Sequence, residues 1–243
     1  MKQAMIFAAG LGTRLKPLTD TKPKALVEVG GKPLLEHIIE KLKAEGFERI
    51  IINIHHFGQQ IIDYLKNNNY FGIDIRISDE SQQLLETGGG IKKAQYLFDS
   101  NTPVLIHNVD ILSNANLKSF YEKTDSEAAL LVSNRDTSRY LLFDDEMRLA
   151  GWTNIKTGEI RSPYKDFDIT KHKAFAFSGI HAFSPKLFNE MGSYPDRFGI
   201  IDFYLDQCAK HVIKGIIDNN LQLIDVGKLN TLELAEKWIS QKQ

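Results

Sequence analysis

The chain predicts an α/β fold: a doubly wound, mostly parallel sheet with a small β excursion. Three observations carry this. Apolar runs alternate with amphipathic segments from the N-terminus to about residue 133, the rhythm of strands joined by crossover helices. The most continuously apolar stretch, 103–109, reads as a central strand buried on both faces. A glycine-bearing loop leaves the first strand at its carboxyl end, which is where open α/β sheets bind ligands.

The first strand covers 4–8 and runs into that loop, 7–19. Residues 33–45 form an amphipathic helix: Pro33 suits its first turn, Leu34, Leu35, Ile38, Ile39 and Leu42 make one apolar stripe, and Gly46 ends it. Residues 49–54 are the second strand. Residues 59–66 form a helix stopped by Asn67-Asn68-Asn69, and 73–77 alternate at period two as a strand does. Residues 87–98 predict a helix opened by glycines, with Thr87 as its cap. Residues 117–123 and 128–133 add a helix and a strand.

Between 139 and 173 the pattern degrades. Asp144-Asp145 and Lys156-Thr157-Gly158 are turn signals, so this stretch predicts a polar β excursion. A strand returns at 174–183. Short strands at 213–218 and 221–226 flank Asn219-Asn220, and 231–240 is a closing helix. No repeat, linker or low-complexity segment interrupts the chain, so one domain over 1–243 is expected.

Composition narrows the function classes. With 243 residues, 42% hydrophobic and 25% charged, the chain has the make-up of a globular protein with a real core. A formal net charge of -1 gives no bulk surface for nucleic acid or membrane. Cys208 is the single cysteine, which excludes an internal disulfide and fits a reducing compartment. No apolar run approaches the ~20 residues of a spanning helix, and the first strand begins too early to leave room for a signal peptide. A cytoplasmic location is the expectation.

The loop carries the chemistry. Gly10 and Gly12 lack a Cβ, so backbone N–H groups there can approach an anion closely. Arg14 adds a permanent planar charge suited to phosphate oxygens, and Pro17 keeps the segment from running on as a helix. Lys24 follows in Thr21-Lys22-Pro23-Lys24 as a second cation. Two familiar glycine loops are excluded. The spacing of the NTPase phosphate loop is absent. The dinucleotide fingerprint needs glycine where Leu15 stands, a helix where Lys16-Pro17 and Pro23 intervene, and an acidic end to the second strand, which instead passes through Asn53 to His55. His55, His56 and His107 form no spaced ligand set with cysteine, which argues against zinc, and Trp152 and Trp238 make no stacking array.

Gly10-Leu11-Gly12-Thr13-Arg14-Leu15, with Pro17-Leu18-Thr19 and Pro23-Lys24, resembles the signature of the sugar-phosphate nucleotidyltransferases. The resemblance continues through Leu85-Glu86-Thr87-Gly88-Gly89-Gly90, Asn108-Val109-Asp110, Phe177-Ser178-Gly179-Ile180 and Asp225-Val226-Gly227, in the family's order and over nearly the whole chain. It implies a Rossmann-like fold that joins an NTP to a sugar 1-phosphate and releases pyrophosphate, with Mg²⁺ as cofactor. The implied nucleotide site is Ala9, Gly10, Gly12 and Thr13 with Glu86, Thr87 and Gly88, the glycines giving a base flat contact. Arg14 and Lys24 are the implied catalytic cations: Arg14 on the triphosphate, Lys24 near the α-phosphate and the incoming sugar phosphate. Asn108, Ser178 and Gly179 are implied sugar contacts.

Asp110 and Asp225 are the implied Mg²⁺ ligands. Each ends an apolar run, where a plain turn-capping aspartate is the alternative; the family pattern is what pairs them. The nucleotide half would be about 1–135 and the sugar-phosphate half about 136–243. The partners implied are the two small-molecule substrates, with no nucleic acid and no membrane, for a monomer or small homo-oligomer.

Two departures stand out. Val109 occupies a place where relatives carry a small residue. No Glu-Lys-Pro lies between 144 and 176, which leaves Lys165, Lys171 or Lys173 as substitutes for its lysine. That absence, the compact length and the Glu86-Thr87-Gly88-Gly89-Gly90 run are most similar to members that use UTP and N-acetylmuramic acid 1-phosphate. Guanylyl transfer to mannose 1-phosphate, cytidylyl transfer to phosphocholine, and a silent nucleotide-sugar-binding regulator are the alternatives.

Overall fold

The computed structural model describes residues 1–241. β1 (Gln3–Phe7) leads through a short ribbon, β2 (Glu28–Val29) and β3 (Lys32–Pro33), into α1 (Leu34–Ala44). The alternation continues with β4 (Arg49–Ile54), α2 (Gly58–Asn67), β5 (Asp74–Asp79) and α3 (Glu86–Ala94). Next come β6 (Val104–Asn108), β7 (Ile111–Ser113), α4 (Leu117–Glu122) and β8 (Ala128–Ser133). A meander of β9 (Arg139–Phe143), β10 (Leu149–Asn154) and β11 (Glu159–Arg161) precedes the long β12 (Lys173–Phe183). The chain closes with α5 (Phe188–Met191), α6 (Ile200–Gln207), β13 (Ile213–Ile217), β14 (Leu223–Asp225) and α7 (Leu229–Ser240).

The main sheet has ten strands. β5, β4, β1 and β6 form a parallel core with β1 between β4 and β6. Successive residues of these strands point to opposite faces. Ala4, Ile6, Ile50 and Ile52 pack on one side with α1, while Met5 and Ile51 pack on the other with α3, α5 and α6. Both faces are covered, which is why the strands read as unbroken apolar runs. α1 buries the predicted stripe of Leu34, Leu35, Ile38, Ile39 and Leu42, and Gly46 adopts φ 84° just past its end.

The sheet is mixed beyond this core. β12 runs antiparallel to β6, β8 and β9, and β13 lies parallel to β8. The 139–173 excursion is the β9–β10–β11 meander, with turns at the predicted places. Its inner side is not polar, since Leu141, Leu142, Phe143 and Leu149 are buried. The strands flanking Asn219-Asn220 do not form a hairpin with each other; β13 pairs with β8 and β14 with β7. α6 is missing from the sequence expectation: five of its eight residues are buried, and its polar face is only the narrow stripe of Asp202 and Asp206.

Candidate active site

The carboxyl ends of β1, β4, β5 and β6 open onto a cavity of about 420 Å³. Ala9 and Gly10 reach it from the loop after β1, Asn53 from β4, Glu80 from the residue after β5, and Asn108, Val109 and Asp110 from the end of β6. Glu86 and Thr87 at the start of α3 supply one wall, and Lys24 supplies another. Parallel strands that all point the same way gather these separated residues at one edge.

The glycine loop is shaped by contacts at particular atoms. The Ala8 N–H donates to the Asn53 side-chain oxygen at 2.7 Å, fixing where the loop leaves the strand. A Cβ at Gly10 would meet no protein atom within 4 Å, so this glycine borders open space. Gly12 turns the chain at φ 64°, and a Cβ there would lie 2.9 Å from Thr19 and 3.0 Å from Lys24. The Thr19 hydroxyl donates to the Gly12 carbonyl at 2.8 Å, tying the loop to the Lys24 segment. Residues 13–15 form one 3₁₀ turn anchored by buried Leu15, which leaves Thr13 and Arg14 exposed.

Lys24 is buried, and its ammonium is ion-paired with Asp110. Asp225 reaches the same place by strand pairing. β14 sets Asp225 opposite Ile111 of β7, and the Val226 N–H donates to the Asp110 carbonyl at 2.8 Å. Asp225 opens to solvent on one side, but protein packs behind its carboxyl. That burial raises its pKa above the ordinary value, the Asp110 charge raises it further, and Lys24, Arg14 and Arg135 draw it back down. Arg14 lies beside it: a Cβ on Gly227 would fall 2.6 Å from the Asp225 Oδ1 and 2.9 Å from the Arg14 Nη2. Two cations and two carboxylates thus cluster together: Lys24 and Asp110 line the cavity, and Asp225 and Arg14 lie next to them without lining it.

This donor set fits a magnesium ion. Among the described residues no group of three or more His, Cys, Asp or Glu side chains is placed to hold a metal. A paired Asp110 and Asp225 would leave most positions to phosphate oxygens and water, as Mg²⁺ prefers. The mutual repulsion that raises Asp225 is what a divalent cation would relieve.

The Glu86–Gly90 segment differs from its expected use. Glu86 and Thr87 line the cavity, but the glycines face protein. A Cβ on Gly88 would lie 2.3 Å from the Phe198 ring, one on Gly89 2.0 Å from the Asp196 carbonyl, and one on Gly90 2.9 Å from Glu80. The Gly88 N–H donates to the Phe198 carbonyl at 2.9 Å and so is not free for a base. Gly88 and Gly89 are crowded by the 196–198 segment, and Gly90 by Glu80 and Asn53, so none of the three has room for a side chain. Thr87 does not cap its own helix; its hydroxyl accepts the Ile200 N–H at 2.9 Å at the start of α6. Glu86 holds φ 61°, uncommon for a side chain that is not Gly or Asn, and pairs with Arg197 at 2.8 Å.

Where β12 passes the end of β6, Gly179 abuts Asn108. Its φ is 76°, and a Cβ would sit 2.7 Å from the Asn108 side-chain nitrogen. The β12–β8 register shifts between Phe177 and His181, so Ser178 and Gly179 form an irregularity facing the end of β6. Lys171 and Lys173 are held by Asp168 at 3.8 Å and Asp145 at 3.0 Å, and none of Lys165, Lys171 and Lys173 lines the cavity.

Sequence reasoning missed a buried pair on the cavity floor. Asn53 donates to Glu80 at 2.7 Å, and the other Glu80 oxygen accepts the Leu85 N–H at 3.2 Å. Burial raises the Glu80 pKa while these two donors oppose the rise. The signal available was Asn53 itself, a polar residue inside the run Ile50-Ile51-Ile52-Asn53-Ile54.

Residues 3–140 match the family described as nucleotidyl transferase. The chain belongs to that family. It is 47% identical over 111 residues to the N-acetylmuramate alpha-1-phosphate uridylyltransferase of Caulobacter vibrioides, covering 45% of this chain and 46% of that protein. It is 41% identical over 124 residues to the enzyme of the same name from Neisseria meningitidis serogroup B, covering 51% and 53%. The matched segments span about half the length of these curated relatives. Over 98% of this chain, the fold is similar to the crystal structure of HddC from Yersinia pseudotuberculosis complexed with GMP-PN, with a TM-score of 0.77, 26% identity and 100% of that chain covered. Among the described residues no helix is long and apolar enough to cross a membrane.

Proposed function

We propose that the chain is a Mg²⁺-dependent transferase that joins UTP to N-acetylmuramic acid 1-phosphate, giving the UDP-sugar and pyrophosphate. The observation that carries this is the clustering of Asp225 and Arg14 beside Lys24 and Asp110, the latter two lining the cavity. Nucleotidyl transfer needs positioning and charge neutralisation more than covalent help, and that cluster has the right charges for it. The similarity to the two uridylyltransferases favours uracil and the muramic acid sugar.

In this reaction a phosphate oxygen of the sugar phosphate attacks the α-phosphorus of UTP. The bond from that phosphorus to the bridging oxygen breaks, and pyrophosphate leaves with the electron pair. The attacking oxygen is already ionised, so no general base is required. Asp110 and Asp225 would hold Mg²⁺, which when bound would supply positive charge to neutralise the phosphates. Arg14 faces the leaving pyrophosphate, where charge accumulates. Lys24, paired with Asp110 in the structure, would offer its ammonium to a phosphate oxygen of the reactants. Ala9 and Gly10 bring backbone N–H groups to the phosphates, and Glu86 and Thr87 bound the nucleoside. Asn108 with Ser178 and Gly179 receives the sugar. One domain serves both reactants, with residues 1–135 chiefly on the nucleotide and 136–243 chiefly on the sugar phosphate.

The test is a matrix of NTPs against sugar 1-phosphates, scored by pyrophosphate release with and without Mg²⁺. UTP with N-acetylmuramic acid 1-phosphate should give the highest turnover, and only with the metal. Guanylyl transfer is the second reading, favoured by the likeness to a structure complexed with GMP-PN. A clear preference for GTP with mannose 1-phosphate would select it.

A further inference from the structure

We propose that Arg135 is the residue that grips the phosphate of the acceptor sugar, an assignment that rests on the nucleotidyl-transfer reading above. Its placement follows from strand direction. β12 runs antiparallel to both β6 and β8, so β6 and β8 point the same way. Their carboxyl ends therefore lie at the same edge of the sheet. β8 ends at Ser133, and Arg135 emerges from it on the edge where β6 delivers Asn108 and Asp110.

Arg135 is tethered where the sugar is expected. Its Nη2 donates to the Phe177 carbonyl at 2.8 Å, next to the Ser178–Gly179 irregularity that abuts Asn108. It is exposed, and among the described residues it makes no ion pair. Lys24 and Arg14 are the cations placed against the two carboxylates. Those other two are engaged: Lys24 with Asp110, and Arg14 against Asp225 over Gly227.

Charge balance requires a group of this kind. A phosphate dianion approaching the α-phosphate must pass two carboxylates and meet a triphosphate. A guanidinium offers several N–H donors in a planar fork matched to phosphate oxygens. One donor orients the Arg135 side chain through Phe177, and the rest remain for the ligand. Neither Arg135 nor Lys165, Lys171 or Lys173 lines the cavity itself, but of these four Arg135 is the one bonded to the turn that abuts Asn108, while Lys171 and Lys173 are paired with Asp168 and Asp145.

The experiment compares the wild type with Arg135→Gln and Arg135→Lys, measuring KM for each reactant separately. Arg135→Gln should raise the acceptor KM by at least about tenfold and leave the nucleotide KM and melting temperature unchanged. Arg135→Lys should recover part of the loss. An unchanged acceptor KM, equal rises in both KM values, or a loss that tracks a lowered melting temperature overturns the assignment. N-Acetylglucosamine 1-phosphate, which lacks the lactyl carboxylate, separates phosphate from carboxylate recognition, as a substrate or as a competitive inhibitor. Its affinity should fall equally in Arg135→Gln; a defect confined to the carboxylated acceptor overturns the phosphate assignment. If the wild type prefers another NTP and sugar phosphate, the substrate reading fails and the comparison is run on that pair, so the two failures are distinct. Calorimetric titration of N-acetylmuramic acid 1-phosphate with Mg²⁺ gives the same comparison without turnover. Equal affinity in wild type and Arg135→Gln overturns it.

Discussion

The ammonium of Lys24 is ion-paired with the carboxylate of Asp110, across 86 positions of sequence, and both side chains are largely withdrawn from water. In the proposed reaction Asp110 would hold the divalent cation, so the lysine and the ion would compete for one carboxylate.

Lys24→Met should therefore act twice. Turnover should fall by more than about a hundredfold if Lys24 contacts the α-phosphate. Leaving Asp110 without a partner should cost roughly 1–3 kcal/mol of stability. Mg²⁺ should restore more melting temperature in Lys24→Met than in the wild type, because the ion no longer competes with an ammonium. An identical Mg²⁺ response in both proteins would remove Lys24 from the cation site.

Arg14 and Gly227 form a second linked pair. Arg14→Lys keeps the charge but loses the fork, and turnover should drop by more than about tenfold. Gly227→Ala should do similar damage without removing any functional group, since its Cβ would lie 2.9 Å from Arg14 and 2.6 Å from Asp225. Melting temperatures should hold in Arg14→Lys. Near-normal turnover in both variants would take Arg14 off the leaving group.

The α3 entry makes the opposite kind of prediction. Gly89→Ala forces a methyl to 2.0 Å from the Asp196 carbonyl, and overpacking of this sort costs roughly 1–3 kcal/mol. Thr87→Val removes the acceptor of the Ile200 N–H, at about 1 kcal/mol for a lost cap, or about 2–4 °C in a chain of this size. Circular-dichroism melts of the two variants check this. Unchanged melts with a raised nucleotide KM would return the glycine run to the base.

His181 sets an acid limit on stability. It is buried on β12, its Nδ1 is 2.7 Å from the Tyr204 hydroxyl, and burial holds its pKa at about 3 against an ordinary 6.5. The unfolded chain takes up this proton below 6.5, whereas the folded chain resists until about 3. Unfolding therefore binds a proton across that window, and stability is lost as the pH falls through it. Above 6.5 the contribution is complete. His181→Phe should show a flatter stability profile between pH 6.5 and 3 under urea titration, whatever its absolute stability.

Much of this was legible in sequence where one physical rule dominated. The parallel core was readable because strands covered on both faces are simply apolar, as at Ile50, Ile51 and Ile52. The loop from Gly10 to Lys24 was readable because its residue types have few other uses together. Other features depend on distant partners. Gly88 and Gly89 look like ligand glycines until Phe198 and Asp196 are seen against them. Thr87 looks like a cap for its own helix but serves Ile200. Glu80 gives no local sign of the Asn53 bond that holds it. Arg135 is an ordinary loop arginine until the shared direction of β6 and β8 puts it at the edge where β6 delivers Asn108 and Asp110.

The proposed mechanism requires Asp110 and Asp225 to act as one cation site for nucleotidyl transfer. The most direct measurement is a double-mutant cycle of Asp110→Asn and Asp225→Asn, reading Mg²⁺-titrated pyrophosphate release alongside melting temperature. Each single variant should stay folded and lose most turnover, and the double should lose scarcely more than the worse single, because residues holding one ion act as a unit. Additive losses, or a folded variant with ordinary turnover and unchanged Mg²⁺ dependence, would contradict the account.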